Sequence, residues 1–214
     1  MPRRPSLRSN RLRCAALAGA LLISACSDAS EEGDTSLDKY LCASDDLTWE
    51  FQQQTAGSFS ANDLGSLGDG TDERKAAYRE AGLERGRFVF WKESLPRPPF
   101  DPPVNVVCQV LVFETAPQAE AWVAGLVADS AEIAATGIVW LPDGERTADE
   151  VDDAGGRTFR IIASEGPASV SLWATYEVRE NLVLSVFAGD REGRLELADV
   201  REIQAARNAR LSED

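Results

Sequence analysis

The chain is expected to fold as an α+β domain. A single antiparallel sheet of about five strands would carry two to three helices, packed mainly on one face. Three observations predict this. Short apolar or alternating runs recur at 87–93, 104–113, 157–163, 168–178 and 181–188, each of strand length. Segments 115–127 and 192–210 place apolar residues at helical spacing instead. The tight turn "REN" at 179–181 joins the last two strands as an antiparallel hairpin.

Taken in order, residues 44–54, "SDDLTWEFQQQ", are ambiguous between a short helix and a strand, and 55–70 are rich in Gly, Ser and Asp and read as loop. Residues 71–81 read as a helix that stops near Gly82. In the strand at 87–93, Phe88 and Phe90 point to one face and Val89 and Trp91 to the other. "LPRPPFDPP" at 95–103 holds five of the ten prolines. Proline cannot feed a sheet ladder, so this is an extended loop. "VNVVCQVLVF" at 104–113 is nearly continuous in apolar residues and fits a central strand, with Val106, Cys108, Val110 and Val112 sharing a face.

Thr115 and Gln118 then form a capping box, with Pro117 in the first turn. Ala119, Trp122, Val123, Leu126 and Val127 make the apolar stripe of that helix, Trp122 facing the sheet. Residues 141–157 read as an acidic loop. Val170, Leu172, Ala174, Tyr176 and Val178 alternate with polar partners in the strand at 168–178. The closing helix near 192–210 lines Leu197, Val200 and Ile203 along one face. Strand–strand–helix thus occurs twice, which raises a ββα duplication. The order of elements resembles small exported lipoproteins of high-GC bacteria, among them domains similar to the PsbP and Mog1 proteins.

The amino terminus has its own logic. Residues 1–13 carry five arginines and no acid, and residues 14–25, "CAALAGALLISA", form a 12-residue apolar run. A spanning helix needs about 20 apolar residues, and Asp28, Glu31 and Glu32 follow at once, so residues 1–25 read as a signal peptide. Ile23, Ser24, Ala25 and Cys26 resemble the lipobox of bacterial lipoproteins. That resemblance implies diacylglycerol on the Cys26 thiol, cleavage before Cys26, and anchoring of the chain to the outer face of the cytoplasmic membrane. Arg3 and Arg4 leave Sec and twin-arginine export both open. Residues 26–38 then read as the lipidated cysteine and a disordered acidic tether, and 39–211 as the single domain.

Without residues 1–25, 17 basic residues face 36 acidic ones, a net charge of −19. So acidic a domain repels phosphate backbones, and nucleic acid is excluded as a partner. With Cys14 in the signal and Cys26 spent on lipid, Cys42 and Cys108 remain as one pair. They are expected to form a disulfide from the start of the domain to a central strand, two separate buried thiols being the alternative.

There is no histidine anywhere, which removes Ser-His-Asp and Cys-His nucleophiles and the common zinc sites. No dinucleotide or phosphate-loop fingerprint occurs, and no cofactor is expected. Asp143, Glu145, Asp149, Asp152 and Asp153 are a weak candidate for calcium, with spacing unlike an EF-hand; a solvated loop is the plainer account. Trp91 and Trp173 beside the proline loop, and Phe100 within it, are candidate contacts for a ligand or partner, with packing beneath helices as the alternative for the tryptophans. A non-catalytic, membrane-anchored envelope domain that binds a ligand or an envelope protein accounts for these features together. A scaffold or sensor subunit of an envelope complex is the alternative, and a carboxylate-dependent hydrolase a more distant one.

Overall fold

The computed structural model describes residues 35–48, 50–64, 72–94, 104–126, 145–151, 156–165, 168–190 and 195–213. Seven strands form one antiparallel sheet: β1 (Phe51–Ser60), β2 (Leu83–Glu93), β3 (Asn105–Phe113), β4 (Glu145–Val151), β5 (Arg157–Glu165), β6 (Ala168–Arg179) and β7 (Leu182–Asp190). Their order across the sheet is β1-β2-β3-β7-β6-β5-β4. The helices are α1 (Ala61–Leu64), α2 (Asp72–Glu80), α3 (Ala116–Gly125) and α4 (Leu197–Glu213), and two 3-10 turns, Thr35–Tyr40 and Ser44–Asp46, open the fold.

The two strands with the most continuous apolar runs, β3 and β7, pair at the centre, and nearly every residue in both is buried. Such strands lack a polar face because both faces of the sheet are covered. Val107, Leu111, Phe113, Phe159, Ile161, Leu172, Ala174, Tyr176, Val183 and Phe187 pack on one face with Ala119 and Val123 of α3 and Tyr78 of α2. Val89, Trp91, Val106, Cys108, Val110, Val112, Trp173, Leu184 and Val186 pack on the other, with Leu37, Leu41 and Leu47 of the opening segment and Val200 and Ile203 of α4. We call these the α3 face and the α4 face.

Four expectations are corrected here. The sheet has seven strands, not about five, because 51–60 and 145–151 are strands where loop or ambiguous structure was expected. Helices cover both faces, not mainly one. The folded domain includes 35–38, which were assigned to a disordered tether: Leu37 is buried and Asp38 pairs with Arg87 of β2. The strand order does repeat, but a two-fold axis relating antiparallel β3 and β7 must run perpendicular to the sheet. It would leave α3 and α4 on the same face, and they lie on opposite ones, so a simple ββα duplication does not describe the fold.

Local chemistry sets the element ends. Gly82 adopts φ +79° just past α2, a left-handed cap that glycine takes without a Cβ penalty. Thr115 caps α3, its hydroxyl accepting from the Gln118 amide N–H at 3.4 Å. The β6–β7 turn puts Glu180 at φ +53°, and Asn181 ties it to β3: its side-chain amide donates to the Phe113 carbonyl at 2.7 Å, and the Phe113 N–H donates back to the Asn181 carbonyl at 2.9 Å.

Cys42 and Cys108 are joined as a disulfide, Cα atoms 5.7 Å apart. The bond fastens the opening segment to the central strand on the α4 face. In the chain-entropy model, closing 66 residues of separation stabilises the fold by about 4 kcal/mol.

Candidate functional site

Strand register assembles a transverse row on the α3 face. Gly57 pairs with Phe88, Phe88 with Gln109, Gln109 with Ser185, Ser185 with Tyr176, and Tyr176 with Arg157. The middle of that row is polar. Gln109 and Ser185 are fully buried. The amide nitrogen and oxygen of Gln109 and the hydroxyl of Ser185 have no hydrogen-bond partner among the described residues. Their surroundings are aromatic and aliphatic. Tyr176 meets Phe187 edge-on at 5.7 Å, and Trp122 of α3 meets Tyr176 at 5.9 Å. Leaving a buried amide unmade costs on the order of 1–3 kcal/mol per polar group. Two such residues side by side in the central strands are therefore an expensive feature for packing alone.

Arg157 closes the row. Its Nε and Nη2 donate to the Glu150 carboxylate at 2.8 and 2.7 Å, and its Nη1 donates to the carbonyls of Val123 and Ala124 at 2.9 and 3.0 Å and to that of Leu126. A guanidinium at a helix C-terminus meets both the last carbonyls and the negative end of the dipole. The hydrogen bonds from Arg157 hold the Glu150 carboxyl below its usual range. This cation is thereby committed to anchoring α3.

A second polar cluster lies on the α4 face. Arg207 of α4 is fully buried. Its Nη2 donates to Glu177 of β6 at 3.4 Å, while its Nε and Nη1 have no partner among the described residues. Glu177 also accepts from Asn208 at 2.8 Å, Gln204 at 3.4 Å and Arg179 at 2.8 Å. Burial pulls the Arg207 guanidinium down to about 10, against the opposing charge of Glu177. Burial alone would raise the Glu177 carboxyl, but hydrogen bonds from Arg179 and Asn208 and the nearby guanidinium charges outweigh it and hold the group below its usual value. One turn on, Arg210 donates to both oxygens of Asp46 and to the carbonyls of Lys39 and Leu41. This cluster locks α4 to the sheet and to the opening turns.

The residues singled out from sequence are dispersed. Trp91 and Trp173, offered as ligand or partner contacts, are corrected: they are 7% and 8% exposed and belong to the core of the α4 face. The indole N–H of Trp173 donates to the Leu195 carbonyl at 3.0 Å. Of the calcium candidates, Glu145 and Asp149 are exposed on β4. They stand four residues apart along an extended strand, on the order of 13 Å, too far to share an ion. Among the described residues no group of three acidic or cysteine side chains is placed to hold a metal. Cys26, Phe100, Asp143, Asp152 and Asp153 lie outside the described residues.

Gln109, Ser185 and Arg207 were not singled out from sequence, yet each leaves a mark there. Gln109 interrupts an otherwise apolar run, at the same parity as Val107, Leu111 and Phe113. Arg207 falls four residues after Ile203 and seven after Val200, on the apolar stripe of α4.

No protein-family model matches the chain, and no curated protein does. Among solved structures, the extracellular domain of PknH from Mycobacterium tuberculosis is similar, with a TM-score of 0.52 at 15% sequence identity, covering 83% of this chain and 95% of that one. At that identity the likeness concerns the fold. Among the described residues no helix is long and apolar enough to cross a membrane.

Proposed function

We propose that this protein is a lipid-anchored, extracytoplasmic domain that binds a ligand or a protein partner and catalyses no reaction. The observation that carries the proposal is the fold, which spans most of the chain and resembles a domain described as extracellular. Two features support it. The Cys42–Cys108 disulfide suits an oxidising compartment, since thiols stay reduced in the cytosol. The run Ile23, Ser24, Ala25, Cys26 supplies the thiol that an acyl anchor needs, and two or three acyl chains hold a protein stably where one does not. A domain of net charge −19 is repelled overall by an anionic membrane, so the acyl chains are the attachment this reading relies on.

The test is fractionation of the producing bacterium. The full chain is expected in the membrane fraction, degraded by protease added outside intact protoplasts, and Cys26→Ala is expected to move it to the soluble fraction. A Cys26→Ala protein that stays membrane-bound would overturn the anchor. A wild-type chain that resists external protease would overturn the location.

A further inference from the structure

We propose that two copies of this chain pair through the edge strand β1, antiparallel, about a two-fold axis at Gly57, so that one sheet runs through both. The inference goes beyond the reading above and does not depend on the anchor.

The two edges of the sheet, β1 and β4, are built differently. Edges are guarded against pairing by charge or proline. β4 carries Glu145, Arg146, Asp149 and Glu150 in seven residues. β1 runs for ten residues, "FQQQTAGSFS", with no charge and no proline. Gln52, Gln53, Gln54, Ala56 and Ser58 are exposed, and no strand among the described residues lies beyond them. The register shift of β1 falls between Gln53 and Thr55 and leaves Thr55–Ser60 regular.

Backbone direction places the axis. The Glu93 N–H donates to Val104 on the β3 side, and the Ser94 N–H donates to Glu50 on the β1 side. Carried along β2, that alternation turns Phe90, Phe88 and Gly86 toward β1, and their partners Thr55, Gly57 and Phe59 toward β2. Ala56 and Ser58 therefore point their N–H and C=O groups outward. The N–H of Ser60 is taken by Asp63 at 2.8 Å. An axis at Gly57 sets Ala56 opposite Ser58 of the second copy, where each exchanges both hydrogen bonds. It sets Gly57 opposite Gly57 in the close, non-bonded position that small residues suit. The half-buried Phe88 ring lies over Gly57, 3.0 Å from where a Cβ would stand, and so leans toward the axis from each copy.

Charge and shape favour a second copy over a foreign strand. Two domains of net charge −19 repel, and β1 is where they repel least. The strand itself is neutral, and β2 behind it carries Arg85, Arg87 and Lys92 against Glu84 and Glu93. No like charges meet directly across the new ladder, where they would destabilise it. A foreign peptide added to an edge is selected by pockets for its alternate side chains. Ala56, Gly57 and Ser58 offer only small side chains, which match themselves. An interface made mainly of one ladder is small, so the dimer is weak and reversible.

The test uses the full chain carrying Cys26→Ala, so that acyl chains cannot drive association. Sedimentation velocity is expected to move from monomer toward dimer between about 5 and about 500 µM. Over that range, amide exchange at Ala56 and Ser58 is expected to slow about tenfold. Ala56→Pro removes an outward donor and no bond to β2, and is expected to leave the chain monomeric throughout with its Tm little changed. Should proline perturb the strand, Ala56→Asp with Ser58→Asp keeps every backbone donor and sets like charges opposite each other twice; it too is expected to stay monomeric. Sedimentation independent of concentration, association undiminished in the double variant, or a dimer with unchanged exchange at Ala56 and Ser58 would each overturn the proposal. Slow exchange at both amides in the dilute monomer would also overturn it, showing the edge covered within its own chain. A monomer whose two amides slow only when envelope extract is added would overturn self-pairing and give the edge to another protein.

Discussion

Glu177 and Arg207 show why a buried pair is asymmetric under mutation. Arg207 is held inside by one carboxylate whose other contacts are Arg179, Gln204 and Asn208. Removing that carboxylate leaves a guanidinium uncompensated in the core, whereas removing both charges replaces them with packing. Glu177→Gln is therefore expected to destabilise by about 3 kcal/mol in urea unfolding, and Glu177→Gln with Arg207→Met to recover most of that loss. The pH dependence follows from the depressed Glu177 carboxyl. The unfolded chain binds its proton more readily, so the stability this group contributes is present above the ordinary carboxylate range and lost as pH falls through it. Wild-type urea midpoints should drop more steeply than those of Glu177→Gln between about pH 5 and pH 3; parallel curves would refute the role.

At the scale of elements, α3 hangs on its two ends. Thr115 caps the first turn and Arg157 holds the last carbonyls. Thr115→Ala should cost about 1 kcal/mol. Arg157→Leu should speed amide exchange in the last turn of α3 with little change in β3 or β7; uniform protection across α3 would show that apolar packing alone suffices. What sequence could reveal tracks how much each element buries. β6 and α3 carry clear periodicity and β3 and β7 near-continuous apolar runs, because all four are packed on the core, and their bounds are legible to within a few residues. β1 and β4 are edge strands. β1 reads "FQQQTAGSFS" with mostly exposed or half-exposed side chains, and β4 reads "ERTADEV". Edge strands are kept polar or charged against wrong pairing, which erases the pattern that would identify them. The second covered face was hidden differently. Trp173 alternates with Ser171 and Thr175, small polar residues that are themselves buried, so a covered face has the composition of a wet one. The polar row was half legible: Gln109 stands out in its run, but only the β3–β7 register reveals Ser185 beside it.

Across the whole molecule, the disulfide decides how a load would travel. The first described residues, from Thr35, lead within a few positions to Cys42, which is bonded to Cys108 in the middle of the sheet. Tension applied at the amino terminus therefore bypasses the edge strand β1 and enters at β3, where neighbours on both sides share it. Residues between the two cysteines sit in a closed covalent loop and feel no pull. The domain is then a hook with one of its two edge strands out of the force path, a useful trait for anything held by one end. Single-molecule pulling between the two termini should show the signature: reducing the bond is expected to release roughly 200 Å of extra contour length and to lower the first unfolding force. Equal contour lengths with and without reductant would show that the bond does not close the loop.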